Sequence, residues 1–254
     1  MADTKVVLCE VQHGVAVVTL NRPERRNGMA GAMLEQLYDH LTRLSEDDSV
    51  AVVILRGAGN DFCVGADIKE IPDGPSNQDH RRVARLYHIA TLLHEMRKPT
   101  IAAIDGGCAG AGLGWAAASD FRFASDRAVF NTAFLAVGVA GDMGTAWSLA
   151  QAVGPSRARE LMYFPGKFSA AEALTFGLVT RLFPRETLHA ETLELARELA
   201  GRSRGAVEAI KDNFLSAERL SLRDYVSVEG ARHGYLVQGP DAAAGFRAFV
   251  DGKR

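Results

Sequence analysis

Residues 99–120 read PTIAAIDGGCAGAGLGWAAASD. PTIAAID (99–105) has the length and residue types of a buried strand, GGCAGAG is a glycine-dense turn, and AGLGWAAA (111–118) resumes as a helix. A strand that runs through glycines into a helix is an α/β unit, and its first helical N–H groups are left without intrahelical acceptors. Toward the N-terminus the unit recurs. VAVVILRG (50–57) is a buried strand, IPDGPSNQ (71–78) is a proline-containing loop, and DHRRVARLYHIATLLHEM (79–96) is predicted as one amphipathic helix. Earlier still, VVLCEVQ (6–12) and VAVVTL (15–20) break at His13-Gly14, a hairpin signal. Pro23 stops the second strand within NRPERRN (21–27), and MAGAMLEQLYDHLTRL (29–44) has helical spacing.

Toward the C-terminus, FRFASDRAVFN (121–131) supplies two short strands, and Ser169 and Glu172 have capping-box spacing. After VTRLFP (179–184) the pattern is entirely helical through 186–202, 206–220, 221–236 and 241–250. The expected architecture is an α/β spiral core over residues 1–195 with a helical C-terminal segment over 196–254. Helices so apolar on one face cover their own core or a neighbouring subunit.

The 29 Lys and Arg against 31 Asp and Glu leave a net charge of −2, so no basic field is available to hold nucleic acid. The segment MADTKVVLCE lacks the layout of a signal peptide, and no apolar run reaches the ~18 residues of a membrane span, which gives an expected cytoplasmic location. Cys9, Cys63 and Cys108 are odd in number and widely spaced, a pattern of small core residues and not of a disulfide framework or zinc site. With no metal cluster in the pattern, chelators are expected to leave activity unchanged.

The glycines of GGCAGAGLG lack the G-x-G-x-x-G frame and the later acidic ribose-binder of a dinucleotide site. They do allow close backbone approach at a helix N-terminus, which suits an oxyanion site; equally, small residues permit tight helix packing. NRPERRN, DFCVGADIKE (61–70) and GVAGDMG (138–144) join this stretch at expected strand ends, where ligands bind in α/β folds.

In combination, VTLNRPERRN (18–27), FCVGADIKE (62–70), IDGGCAGAGLG (104–114) and GLVT (177–180) resemble the crotonase, or enoyl-CoA hydratase/isomerase, superfamily over essentially the whole chain. The resemblance implies a crotonase-like spiral of ββα units, an acyl-CoA substrate that brings the only coenzyme, and a homotrimer or dimer of trimers. It implies an oxyanion hole from the N–H groups of Ala66 and Ala111, with Gly110 and Phe134 among the substrate-binding residues. It places Arg25 and Arg26 at the CoA phosphates and adenine, Val64, Ala66, Asp67 and Ile68 around the adenine pocket, and Phe249 and Lys253 near CoA. Taken alone, two arginines on a loop are solvated charge, and Asp67 is equally a helix cap.

The sequence departs from a hydratase at the two glutamates that would hold water: Gly114 and Phe134 stand at those positions. Asp142 stands where dienoyl-CoA isomerases and several other relatives keep an aspartate, and one carboxylate suffices to carry a proton between carbons of an enolate. It could also cap the helix that follows. The same stretch resembles 4-chlorobenzoyl-CoA dehalogenase, in which the aspartate is a nucleophile and a histidine activates water; His88 and His94 are the candidates here. Hydration through another water-activating group and non-catalytic acyl-CoA binding complete the alternatives. Trp115 and Trp147 are candidate fluorescence reporters of acyl binding.

Overall fold

In the computed structural model the described residues are 5–70 and 84–252. Strands β1 (Val7–Gln12) and β2 (Val15–Leu20) form the expected antiparallel hairpin, with His13 and Gly14 at positive φ as a two-residue turn demands. Beyond them the chain adds β3 (Val52–Gly57), β4 (Thr100–Ile104), β6 (Phe121–Ser125) and β9 (Arg181–Phe183), each parallel to its neighbour, to complete a six-stranded sheet in the order β1-β2-β3-β4-β6-β9.

A second layer is built from short pieces. Strands β5 (Gly107–Ala109), β7 (Val129–Asn131) and β8 (Phe168–Ser169) form a three-stranded sheet, and the single bridges Met29↔Ala66 and Cys63↔Cys108 link the preceding turns of chain to it. Long strand, short strand or bridge, then helix is thus the repeating turn of the spiral. The helices are α1 (Gly31–Glu46), α2 (Ile89–Glu95), α3 (Ala111–Ala118), α4 (Thr145–Val153), α5 (Pro155–Tyr163) and α6 (Ala170–Phe176). The Ser169 capping box at the start of α6 closes in both directions.

Strand β3 shows why the apolar runs are continuous. Val53 and Leu55 face the main core with Leu37 and Leu93, whereas Val52 and Ile54 face Leu188 and Ala196 of α7 (Leu188–Ala200). Both faces are covered, as a parallel sheet requires. The junction expected at 195/196 falls inside α7, which belongs to the layer covering the sheet. α8 (Arg204–Ala217) is fastened to the core by the buried Lys211, whose ammonium donates to Asp120 (2.7 Å) and to the carbonyls of Lys98 (3.1 Å) and Leu93 (3.3 Å). α9 (Leu222–Val237) and α10 (Pro240–Val250) bury none of their residues.

The continuous helix expected over 79–96 is corrected in its described part: the chain turns at Tyr87–His88 and α2 starts at Ile89. Residues 79–83 of that segment, the loop 71–78 and Lys253 lie outside the described residues. No described helix is long and apolar enough to cross a membrane.

Candidate active site

Two glycines set the centre. Gly65 (φ 94°) and Gly110 (φ 51°, ψ −124°) hold backbone conformations that residues with a Cβ rarely adopt, and a Cβ built on Gly110 would lie 3.4 Å from the Gly65 Cα. The residue after each glycine is a predicted oxyanion donor. At Ala66, flanking Gly65 accepts from Met29 N–H (2.7 Å) and Asp67 N–H donates to the Met29 carbonyl (2.9 Å), so the Ala66 N–H points away from the bridge. Ala111 is the first residue of α3. Neither N–H has an acceptor among the described residues. Two free donors at touching segments, one reinforced by a helix N-terminus, are equipped to receive an anionic oxygen.

Cys63 clamps the two segments. Its carbonyl accepts from Ala109 N–H (2.9 Å), its N–H donates to the Gly107 carbonyl (3.1 Å), and its thiol lies beside the N–H of Gly112. A Cβ on Gly112 would sit 2.4 Å from the Cys63 carbonyl oxygen, so glycine there is what lets α3 approach. Burial pushes the Cys63 thiol up to about 12, which makes it a packing residue and not a thiolate.

Asp142 occupies a loop in which Gly141, Met143 and Gly144 all have positive φ. Main-chain contacts hold it: the Asp142 carbonyl accepts from Thr145 N–H (2.9 Å) and Thr145 Oγ1 (2.7 Å). The carboxylate does not cap α4, whose N-cap is Gly144 without a side-chain bond. Asp142 Oδ1 is buried with no hydrogen-bond partner among the described residues, and burial pushes its pKa up to about 6. Its charge reaches the Cys63 thiol. The ring of Phe134, itself buried, lies 3.9 Å from the Cβ positions of both Gly110 and Gly141, and so joins the donor pair to the Asp142 loop.

Gly114 explains the missing glutamate in physical terms. A Cβ there would meet Thr145 Oγ1 at 2.6 Å and Met143 Cβ at 2.9 Å, so the loop carrying Asp142 fills the place where a longer side chain would begin.

The other expected site residues are distributed less evenly. Arg26 engages Asp61 through both arms of its guanidinium (2.9 Å each), whereas Arg25 lies 3.9 Å from Asp67. Asp67 is nearly covered and pairs with the buried Arg22 (3.1 Å), which also bonds Glu70 and the Gly28 carbonyl (2.7 Å). Arg22 carries no distinct signal in the sequence because it reads as one of three arginines in a polar loop. Asp67 also accepts from Lys69 N–H (3.3 Å), a local turn bond. Val64 lies against Gly107, and Ile68 is exposed. Phe249 is exposed on α10.

His88 Nδ1 pairs with Thr91 Oγ1 (3.1 Å). His94 pairs with Glu218 (3.0 Å) and packs edge-on against Trp147, which is half exposed, while Trp115 is fully buried. Neither histidine bonds Asp142.

Comparisons with known proteins agree with this architecture. Residues 10–254 match the family model described as enoyl-CoA hydratase/isomerase. The chain is 37% identical over 196 residues, 75% of its length and 71% of the relative's, to 4-chlorobenzoyl coenzyme A dehalogenase-1 of Arthrobacter sp.. It is 33% identical over 248 residues, 96% of its length and 95% of the relative's, to 1,2-epoxyphenylacetyl-CoA isomerase of Escherichia coli K12. The crystal structure of an enoyl-CoA hydratase from Mycobacterium smegmatis superposes with a TM-score of 0.90 at 27% identity, covering 98% of this chain and 97% of that one. With its two-layered spiral, its paired free donors and a family match over nearly its whole length, the chain belongs to the enoyl-CoA hydratase/isomerase family of the crotonase superfamily.

Proposed function

We propose that the protein shifts a double bond within the acyl group of a CoA thioester, with Asp142 as the proton carrier. The observation that carries this reading is the buried, unpartnered Asp142 carboxylate, raised to about 6, in a site where Gly114 leaves no room for a second acid. Asp142 takes a proton from C2 of a 3-enoyl thioester. The electron pair moves onto the thioester oxygen, which the Ala66 and Ala111 N–H groups hold. The same carboxylic acid returns the proton at C4 as the double bond forms between C2 and C3. The reaction as written needs no cofactor beyond the CoA of the substrate. Of the two arginines expected at the CoA phosphates, Arg25 keeps the freer guanidinium, since Arg26 is engaged by Asp61.

Incubating a 3-enoyl-CoA in deuterated, 18O-labelled water and weighing the product tests the reading. The expected product is the 2-enoyl-CoA without oxygen uptake. Incorporation of 18O would instead mean hydration or hydrolysis.

A basic carboxylate that must be ionised to start the reaction gives a sign for the pH profile. Below its pKa Asp142 is protonated and idle, so kcat/KM is expected to climb with pH up to about 6 and level off above it. A flat profile from pH 4.5 to 8 would exclude Asp142 as the base.

Ala111→Pro tests the donor. Proline is tolerated at the first helical position, yet it removes the N–H and places its ring carbon in the hole. A fall in kcat of roughly 100- to 1,000-fold at nearly unchanged melting temperature is expected.

A second reading is supported by the dehalogenase relative and by the aromatic wall at Phe134: Asp142 would attack a ring carbon of an aromatic thioester. It needs a base for the following hydrolysis, and His88 and His94 have other partners. Chloride release from 4-chlorobenzoyl-CoA separates the two readings. The trimer, or dimer of trimers, fits the uncovered apolar side chains of α9 and α10, and solution mass reads it directly.

A further inference from the structure

Beside the Asp142 loop the chain forms a cavity of about 420 Å3, walled by Phe134, Leu135, Val139, Ala146, Ala158 and Met162. It adjoins the site at two points. Phe134 is shared with the donor pair, and the Met162 methyl lies 3.3 Å from the Cβ position of Gly141, next to Asp142. The volume suits an acyl group of moderate size, and the lining is apolar, as small-molecule sites usually are.

One charged residue interrupts that lining, Arg159 of α5. It has no ion pair, hydrogen bond or aromatic partner among the described residues. Its neighbour on the same helix behaves differently: Arg157 pairs with Glu160 (2.6 Å) and covers the Phe176 ring. A guanidinium fork matches a carboxylate, and one left unpaired at the wall of an apolar cavity favours a ligand with an apolar body and an anionic tip.

We propose that Arg159 is a specificity-determining residue that selects acyl-CoA thioesters whose acyl chain ends in a carboxylate. This rests on the reading of the Asp142 surroundings as the acyl site. The anion is the acyl terminus and not a CoA phosphate, and the test separates these because every thioester carries the same CoA.

Calorimetric binding of glutaryl-CoA and pentanoyl-CoA, equal in chain length, is compared in wild type, Arg159→Gln and Arg159→Lys. A charge-assisted contact predicts a preference for glutaryl-CoA of roughly 10- to 100-fold in wild type, abolished in R159Q and partly kept in R159K, with pentanoyl-CoA binding unchanged throughout. Equal wild-type affinities overturn the proposal, as does a parallel loss of both ligands in R159Q, which would place the arginine at the CoA moiety or reveal a damaged fold. Because binding is read without turnover, failure of the double-bond shift alone would remove the reaction assigned to Asp142 and leave the selection by Arg159 standing.

Discussion

Asp142→Asn is expected to lower turnover of a 3-enoyl-CoA by about 10³-fold while leaving acyl-CoA affinity within a small factor. The amide keeps the shape of the side chain and removes its basicity, so a variant that binds but does not react locates the defect in proton transfer. Retained turnover would sink the role assigned to Asp142. The same substitution carries a stability signature of opposite sign. In the folded protein the Asp142 pKa stands near 6 against 3.8 for an ordinary aspartate, so the native state binds the proton more tightly than the unfolded chain. Stability therefore declines as pH rises from about 4 to about 6, and the full penalty is present above that. Asparagine has no such penalty. Since the residue as a whole is only partly buried, a gain of about 1 kcal/mol at pH 7–8 is expected, vanishing below pH 4. Thermal melts at pH 3.5 and 7.5 check it, and equal wild-type and variant shifts at both pH values would contradict the burial of this charge.

Restoring the hydratase-type acid by Gly114→Glu is expected to yield no hydratase. The first side-chain carbon collides with Thr145 Oγ1 and Met143 Cβ, both in the segment that positions Asp142, and the carboxylate beyond it would enter a packed helix interface. Overpacking and the burial of an unpaired charge together cost about 3–5 kcal/mol. Denaturant unfolding of G114E should show that loss, and the isomerisation assay should show lost activity with no 18O in the product. A stable G114E variant that hydrates a 2-enoyl-CoA would mean that the 143–145 loop yields easily, and the glycine would then not be what separates this chain from hydratases.

How much was readable in the sequence depends on the range of the interaction concerned. The strand, turn and helix over 99–120 are local, and AGLGWAAA coincides with α3. The hairpin is readable for the same reason, since Gly14 with its neighbour at positive φ determines its own turn. The resemblance points to Ala66 and Ala111, which the structure sets beside adjoining glycines, but the sequence does not show what keeps their N–H groups free: the bridge at Met29 and the Cys63 clamp join residues distant in sequence. The break of the predicted helix at Tyr87–His88 is hidden because the apolar spacing runs through it. The choice for Asp142 between capping and chemistry also needed three dimensions. A capping aspartate and an orphaned one share the same local sequence, and here Gly144 intervenes as the cap residue. Arg159 carries no sequence signal, since an arginine in a helix declares its partner only when its neighbours in space are known.

The two last helices set a different kind of limit on the molecule. α9 and α10 bury none of their residues, and side chains such as Leu222, Tyr235 and Phe246 stand in solvent. Helices of this length are marginal in water unless another surface covers them. Their amide hydrogens should therefore exchange rapidly in a lone chain, while those of β2, β3 and β4 wait for global opening. The tail is thus a thermometer of its own surroundings: slow exchange along α9 and α10 records contact with a neighbouring surface, and the dependence of that protection on protein concentration records whether the neighbour is another copy of the chain.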